Sequence, residues 1–260
     1  MSIIYCGKLN KKPYYIKEAD INIYTIQELS YYIYNYAMLI TNNFISKNLI
    51  LYIDNALELH ELAEKLNVQY NTKQSSLIDL LMLILEYSNY YNENDIKKFK
   101  NRILKLVELD EYDYINLSGD ILFELKKYEK AIKQYEKISK DDDNALLKLA
   151  YCYAKLQFYD NAILNFKILF NRTRNIKVLK DMYFCYKLFG SADEMSEYKN
   201  FISSEVSTEW ELEIVKLILD VKSSDSIKEK EELFLMGDAY IKDSLNTLIK
   251  VWKDKYRYIS

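Results

Sequence analysis

The stretch YINLSGDILFELKKYEKAIKQYEKI, residues 114–138, decides the fold, because its pattern returns 31 positions later in ALLKLAYCYAKLQFYDNAILNFKIL, residues 145–169. The matched positions are Ile115, Ser118, Gly119, Leu122, Tyr128, Ala131, Tyr135 and Ile138 in the first copy, and Leu146, Leu149, Ala150, Tyr153, Tyr159, Ala162, Phe166 and Leu169 in the second. This spacing is typical of two consecutive amphipathic helices. Small residues let neighbouring helices approach closely, and large ones fill the gaps between stacked pairs.

The pattern resembles the tetratricopeptide repeat, in which a large residue, a Leu-Gly pair and a Tyr lie on one helix, and Ala and Phe lie on the next. A degenerate third copy has Leu179, Met182, Tyr183 and Tyr186, with Ala192 in place of an aromatic residue and Met195 in place of Ala. The signature returns at Leu233, Met236, Gly237 and Tyr240. The resemblance implies an all-α fold, a right-handed stack of antiparallel helix pairs that forms a TPR-like solenoid. The usual period is ~34 residues, so the shorter spacing implies a shortened loop or helix end.

Two regions are predicted, with the boundary in NVQYNTKQ, residues 67–74. Residues 71–260 form the repeat domain, with its best copies at 112–200 and a C-terminal cap at 245–256. Residues 1–70 form a small N-terminal module. Its segments IIYC (3–6) and PYYI (13–16) flank the polar turn GKLNKK, a pattern typical of a β-hairpin.

Helix starts are indicated by two capping boxes, Thr25 with Glu28 and Ser76 with Asp79. The first predicts a helix that runs through YYIYNYAMLI (31–40) to TNN, and the second predicts a helix to about residue 87. Further helices are predicted over 44–67 and 95–109. The segment TEWELEIVKLILDV (208–221) predicts another, whose apolar residues include Trp210, Ile214, Leu217, Ile218 and Val221.

Composition excludes several classes of protein. Only 4 Gly and 1 Pro occur, too few for the turns of a sandwich, barrel or Rossmann fold. The 36 basic and 39 acidic residues give a net charge of −3, without the basic excess of most nucleic-acid-binding proteins. No apolar run reaches the ~20 residues of a membrane helix, and the N-terminus lacks the pattern of a signal peptide. We therefore expect a cytoplasmic protein without membrane contact.

No catalytic, metal or cofactor site is predicted. The cysteines (Cys6, Cys152 and Cys185) lack metal-ligand spacing, and the last two share one register of the repeat, which favours a structural role. The single His60 excludes any site that needs two imidazoles, and the four glycines are isolated, so no phosphate loop is present. The basic cluster Arg172, Arg174 and Lys177 is the best nucleic-acid candidate, but it is short and flanked by balanced charge.

The resemblance implies a peptide-binding groove on the concave face, lined by the first helix of each pair. The candidate residues, in chain order, are Asn116, Asp120, Phe123, Leu147, Tyr151, Lys155, Lys177, Lys180, Phe184 and Lys187. This groove is acidic at one end, aromatic in the middle and basic at the other end. It would suit a partner peptide with an apolar anchor and an acidic end.

The leading hypothesis is a non-enzymatic adaptor or scaffold that binds a protein or peptide partner in this groove, while the N-terminal module makes a second contact or a homodimer interface. Three alternatives stay open. They are a regulator that senses a signalling peptide, a nucleic-acid-binding accessory protein, and an enzyme. The enzyme would need a pocket with polar groups near His60 or a cysteine.

Overall fold

The computed structural model describes residues 12–72, 75–140, 142–189, 197–198, 200–223 and 227–228. This part of the chain is mostly helical, which confirms the all-α class. The elements are β1 (Tyr14–Ile16), β2 (Ile21–Ile23), α1 (Ile26–Asn35), a 3-10 turn (Ala37–Leu39), α2 (Lys47–Asn55), α3 (His60–Asn71), α4 (Leu77–Ser88), α5 (Glu93–Val107), α6 (Glu111–Glu124), α7 (Tyr128–Ile138), α8 (Asp143–Lys155), α9 (Tyr159–Thr173), α10 (Ile176–Phe189) and α11 (Ser204–Ser223). The predicted positions Ala192, Met195 and 233–256 lie outside the described residues.

A two-stranded antiparallel sheet opens the described chain, with Tyr14 opposite Ile23 and Ile16 opposite Ile21. The segment at 13–16 therefore forms a strand, as predicted, and pairs with β2. The predicted partner segment, 3–6, lies outside the described residues. A residue distant in sequence holds the turn of this hairpin. Lys127 Nζ donates to the carbonyl oxygen of Asp20 at 2.8 Å and to its carboxylate at 3.0 Å.

Helix α1 begins at the predicted capping box but ends earlier than predicted. The Glu28 amide donates to Thr25 Oγ1 at 3.1 Å, and the Thr25 amide donates to the Glu28 carboxylate at 3.2 Å. The helix stops at Asn35, and the 3-10 turn buries three consecutive residues, Ala37 to Leu39. The hydrogen-bond pattern tightens here, because the amide of Leu39 donates to the Tyr36 carbonyl, three residues earlier, in place of the four-residue spacing of an α-helix. The second capping box, at the start of α4, is confirmed.

The predicted helix over 44–67 is divided in two, because the chain turns back between α2 and α3. Glu58, in this turn, has a left-handed φ of 58°. Lys126 (φ 59°) and Gln157 (φ 63°) adopt the same conformation, and each of the three lies two residues before the next helix begins. The α2–α3 hairpin thus shares a turn geometry with the two repeat copies, a relationship that the sequence pattern had not indicated.

The chain divides into two compact units, Met1–Gln157 and Phe158–Ser260. The predicted boundary near residue 70 lies inside the first of them. In that unit α2 packs on α3, α3 on α4, α4 on α5, α6 on α7, and α7 on α8. One cluster of buried apolar side chains extends from Ile16 on β1 to Cys152 on α8. In the second unit α9 packs on α10.

The repeat positions form the cores of these units. Most of the matched residues of both copies are buried, and Tyr128, Tyr153 and Tyr159 are half-buried. Leu179, Met182, Tyr183 and Tyr186 of the third copy are buried as well. Helix α11 covers the predicted range 208–221, but only Trp210 of its predicted apolar set is buried.

Candidate functional site

Side chains join α6 to α8 within the first unit. Tyr112, at the start of α6, donates a hydrogen bond to the carboxylate of Asp142, the N-cap of α8. One turn of helix further on, Lys148 Nζ lies 2.6 and 2.8 Å from the two carboxylate oxygens of Asp120 and 3.3 Å from Asn116 Oδ1. The predicted residues Asn116 and Asp120 therefore meet on one face, held by a lysine from the next repeat copy.

Asp120 is also tied to α7, which packs against both α6 and α8. The hydroxyl of Tyr135 donates to Asp120 Oδ1 at 2.6 Å. Burial and this hydrogen bond raise the pKa of Tyr135 above its ordinary value. The ammonium of Lys148 lies 5.8 Å from the centroid of the Tyr135 ring. Asp120 is thus the acceptor at the centre of a network over three helices, and Lys148 neutralises the predicted acidic end of the groove.

Sequence reasoning missed Lys148. Its counterpart in the first copy is Leu117, 31 positions earlier, so comparison of the two copies places it at an apolar position. Only the distance to Asp120 and Asn116, which lie 28 and 32 residues earlier in the chain, shows its role.

The other predicted residues of the first unit differ in accessibility. Phe123 packs edge-on against Tyr128, with the ring centroids 5.3 Å apart, and so belongs to the α6–α7 turn. Leu147 and Tyr151 lie one helical turn apart on α8, and both are half-buried. Lys155, at the end of α8, is exposed. Leu147 and Tyr151 therefore form an apolar strip along one side of α8, and both are half-buried, as Phe123 is.

The remaining predicted residues belong to the second unit, where helix α11 supplies carboxylates to two of the lysines. Lys180 Nζ lies 2.5 Å from the Glu213 carboxylate, and Lys187 Nζ lies 2.6 Å from that of Glu211. The pairing with Lys187 lowers the pKa of Glu211. The predicted basic end of the groove is thus largely neutralised within the unit.

The two other predicted residues of this unit lie on the same helix, α10. Phe184 is half-buried, with the Lys180 ammonium 5.5 Å from its ring centroid. Lys177 is exposed at the start of the helix.

The basic cluster at 172–177 is exposed, but one of its members has a structural role. Arg174 ends α9 in a left-handed conformation, with φ 52°. Its guanidinium carbon lies 5.6 Å from the ring centroid of Phe170 and 5.3 Å from that of Phe201. Contacts of this kind stabilise the C-terminal end of a helix.

A groove of about 480 Å³ lies between α2 and α3, at His60. The imidazole Nδ1 lies 2.7 Å from Asp54 Oδ1, an arrangement that fixes the orientation of the ring. The groove is lined by Lys47, Ile50, Leu51, Asp54, His60, Ala63, Glu64, Asn67 and Asn71. None of these nine residues carries a hydroxyl or a thiol, so the Asp54–His60 pair has no serine-type or cysteine-type nucleophile beside it in the groove.

The two cysteines that the structure describes are free and buried. Burial raises the pKa of Cys152 to about 12 and that of Cys185 to about 11. Both thiols therefore stay protonated at neutral pH, and a protonated thiol is a poor nucleophile. These positions favour the structural role that the repeat register predicted. Cys6 lies outside the described residues.

Comparison of the chain with protein-family models, with curated proteins and with solved structures found no match in any of the three. Among the described residues, no group of three or more His, Cys, Asp or Glu side chains is placed to hold a metal ion. In the same part of the chain, no helix has the combination of length and apolar character required to cross a bilayer.

Removal of the Asp120 carboxylate should destabilise the first unit. Asp120→Ala leaves the Lys148 ammonium and the Tyr135 hydroxyl without their shared acceptor, and we expect a loss of about 2 kcal/mol in the free energy of unfolding. Lys148→Ala should cost less, because Asp120 keeps the bond from Tyr135. A double-mutant cycle in urea should give a coupling of about 1 kcal/mol between Asp120 and Lys148.

The matched control is the exposed pair Glu61–Lys65 on α3, which also has an N–O distance of 2.6 Å. Its coupling should stay below about 0.5 kcal/mol, as for other exposed pairs on one helix. Equal couplings for the two pairs would show that the network adds nothing to an ordinary surface contact.

Proposed function

We propose that this protein is a cytoplasmic, non-enzymatic adaptor of the TPR-like kind, which binds a partner protein or peptide on the face that α6 and α8 share. The observation that carries the proposal is the bridge from Lys148 to Asp120 and Asn116. It joins α6, the first helix of the α6–α7 hairpin, to α8, while α7 packs against both of them. This arrangement is the one expected of stacked helical hairpins, whose first helices form a continuous binding surface.

The proposed surface combines a rigid polar side with an apolar strip. The Asp120–Lys148 pair cancels its own charge and is held in place by Tyr135 and Asn116. Beside it on α8, Leu147 and Tyr151 offer half-exposed apolar area, and rigid aromatic side chains are common hot spots of protein interfaces. The partner should therefore insert an apolar side chain at Tyr151.

Lys155, exposed at the C-terminal end of α8, places a positive charge beside this strip. An acidic residue of the partner should lie towards that end of the surface. Because Asp120 is already neutralised by Lys148, the partner needs no basic residue opposite it.

Photo-crosslinking in the native lysate tests the location of the surface. A photoreactive phenylalanine analogue at position 151 should give a specific adduct with one partner. The same analogue at Lys133, exposed on α7, should not. In affinity capture, Leu147→Ala/Tyr151→Ala should reduce retention of that partner at least about tenfold, in line with the loss of one or two hot-spot residues. Lys133→Ala/Lys137→Ala should leave retention unchanged.

Circular dichroism and urea unfolding must first show that each variant is folded. Retention of the same partner by the folded Leu147→Ala/Tyr151→Ala variant would exclude this surface as the binding site. Equal crosslinking from positions 151 and 133 would show that the capture is not specific.

A further inference from the structure

Helix α11 carries an apolar stripe on the side that faces away from α10. Leu212, Val215 and Leu219 are 65%, 50% and 59% exposed, respectively. Their spacing of three and four residues is that of the a and d positions of a coiled coil. In the N-terminal half of the helix the opposite side is occupied, because Trp210 is buried and its ring centroid lies 5.6 Å from that of Tyr183 on α10.

The stripe is one part of a larger apolar surface on the same helix. Leu217, Ile218 and Val221 are each between 44% and 59% exposed, so the C-terminal half of α11 is apolar on most of its circumference. A helix with this distribution is normally covered. Contiguous exposed apolar surface of this size marks an interaction site.

Exposed charged residues lie beside the stripe, acidic in the N-terminal half of the helix and basic in the C-terminal half. Glu205 and Glu209 lie in the N-terminal half of α11, and Lys216 and Lys222 lie in the C-terminal half. Glu205 and Lys222 continue the same spacing, seven residues before Leu212 and three residues after Leu219. The outer face is therefore acidic at one end, apolar in the middle and basic at the other end.

We propose that a second copy of this chain covers this face, with the two α11 helices antiparallel about a two-fold axis near residues 213 and 214. In that arrangement Leu212 of each copy meets Val215 of the other, and Thr208 meets Leu219. At the ends, Glu205 meets Lys222 and Glu209 meets Lys216. Both of these glutamates thus meet lysines, as a self-complementary two-fold interface requires.

The same charges disfavour a parallel pair. It would set Glu205 of one copy against Glu205 of the other and Lys222 against Lys222, and like charges across a helix pair are repulsive. The α11 face belongs to the second unit of the chain, and the α6–α8 surface belongs to the first.

Sedimentation velocity of the full chain tests the proposal, with two charge variants. Glu205→Lys/Glu209→Lys makes the face entirely basic, and Lys216→Glu/Lys222→Glu makes it entirely acidic. We expect the wild-type chain to dimerise, and each variant alone to associate about 100-fold more weakly, because four ion pairs become four repulsive contacts. An equimolar mixture of the two variants should form a heterodimer, because every contact then joins opposite charges.

Lys133→Glu/Lys137→Glu on α7 is the control for net charge, since it changes the charge of the chain as much as the acidic variant does. It should dimerise like the wild type. Formation of the heterodimer would show that both charge variants are folded, because an unfolded variant would not regain its interface on mixing.

A photoreactive residue in place of Val215 then identifies which molecule contacts this face of α11. Crosslinks between isotopically distinct copies support the dimer. A wild-type chain that stays monomeric at ~100 μM, or a dimer that is insensitive to both charge variants, would overturn the proposal. Crosslinks from Val215 only to residues of its own chain, or only to another protein, would also overturn it.

Discussion

In alkaline solution the protein should lose stability steeply between pH about 9 and pH about 12. Burial raises the pKa of the Cys152 thiol from 9.0 to about 12 and that of the Cys185 thiol to about 11. Burial also raises the pKa of the phenols of Tyr32 and Tyr135 above their ordinary value of 10.0. The unfolded chain releases these protons first, so the stabilisation is complete below the unfolded pKa values and is lost as the pH rises towards the folded ones.

Each of these groups should lower the free energy of unfolding by about 1.4 kcal/mol per pH unit, once the pH exceeds its unfolded pKa. Urea unfolding followed by circular dichroism at several pH values between 8 and 12 gives the slope, and tyrosinate absorbance reports the titration. A free energy that stays constant to pH ~11 would show that these groups titrate freely in the folded protein.

The Tyr32→Phe variant isolates the contribution of one of these groups to the pH dependence. The Tyr32 hydroxyl is buried without a hydrogen-bond partner, while its ring packs against Phe44 with the centroids 5.7 Å apart. The substitution should change stability little at pH 7, because the ring remains and no hydrogen bond is lost. At pH 11 it should stabilise the protein by about 1 kcal/mol relative to the wild type, because one titrating group has been removed.

Gly119→Val should destabilise the first unit by about 3 kcal/mol. A Cβ atom at Gly119 would lie 2.7 Å from Cε1 and 3.0 Å from Cζ of the Tyr135 ring. That ring is fully buried, and its hydroxyl is held by Asp120, so it cannot move aside without breaking the network. Overpacking of this kind costs about 1–3 kcal/mol, and the branched side chain forces further shifts. Thermal unfolding should show a fall in Tm of about 10 °C.

Leu117→Val is the matched control, since it places the same residue type on α6 at an exposed position. It should cost less than about 0.7 kcal/mol, the range of intrinsic helix propensity. The effect of Gly119→Val should also shrink in a Tyr135→Ala background, where the obstructing ring is absent. If Gly119→Val lowers stability by the same amount in that background, its cause lies in the helix backbone and not in the contact with the Tyr135 ring.

The periodic features of the sequence predicted the buried parts of the fold well. The repeat positions around Gly119 and Ala150 form cores because helical spacing alone decides which side of a helix is buried. The capping boxes predicted the starts of α1 and α4 for a similar reason, since their hydrogen bonds join residues only three apart. Features that depend only on neighbouring residues can therefore be predicted without the position of the rest of the chain.

The features that the sequence did not predict are those that depend on turns or on distant residues. The turn between α2 and α3 depends on Glu58 in a left-handed conformation, which glutamate seldom adopts and which no spacing indicates. Lys180 and Lys187 were predicted as groove residues, and the glutamates that pair with them come from α11, 33 and 24 residues further on. An ion pair between helices requires a relative placement that one helix alone cannot specify.

The attachment of the β-hairpin has a consequence for biosynthesis. Lys127 and Lys130 bond to the hairpin turn across 107 and 113 residues of chain. Ribosomes add about 5–20 residues per second, so the newly made hairpin waits on the order of ten seconds before its anchor exists. During that interval the turn lacks these bonds, while β2 can already pack on α1 and the Ile23 carbonyl can already accept the hydrogen bond from the Tyr52 hydroxyl. The attachment of the hairpin turn is therefore completed only after α7 has been made.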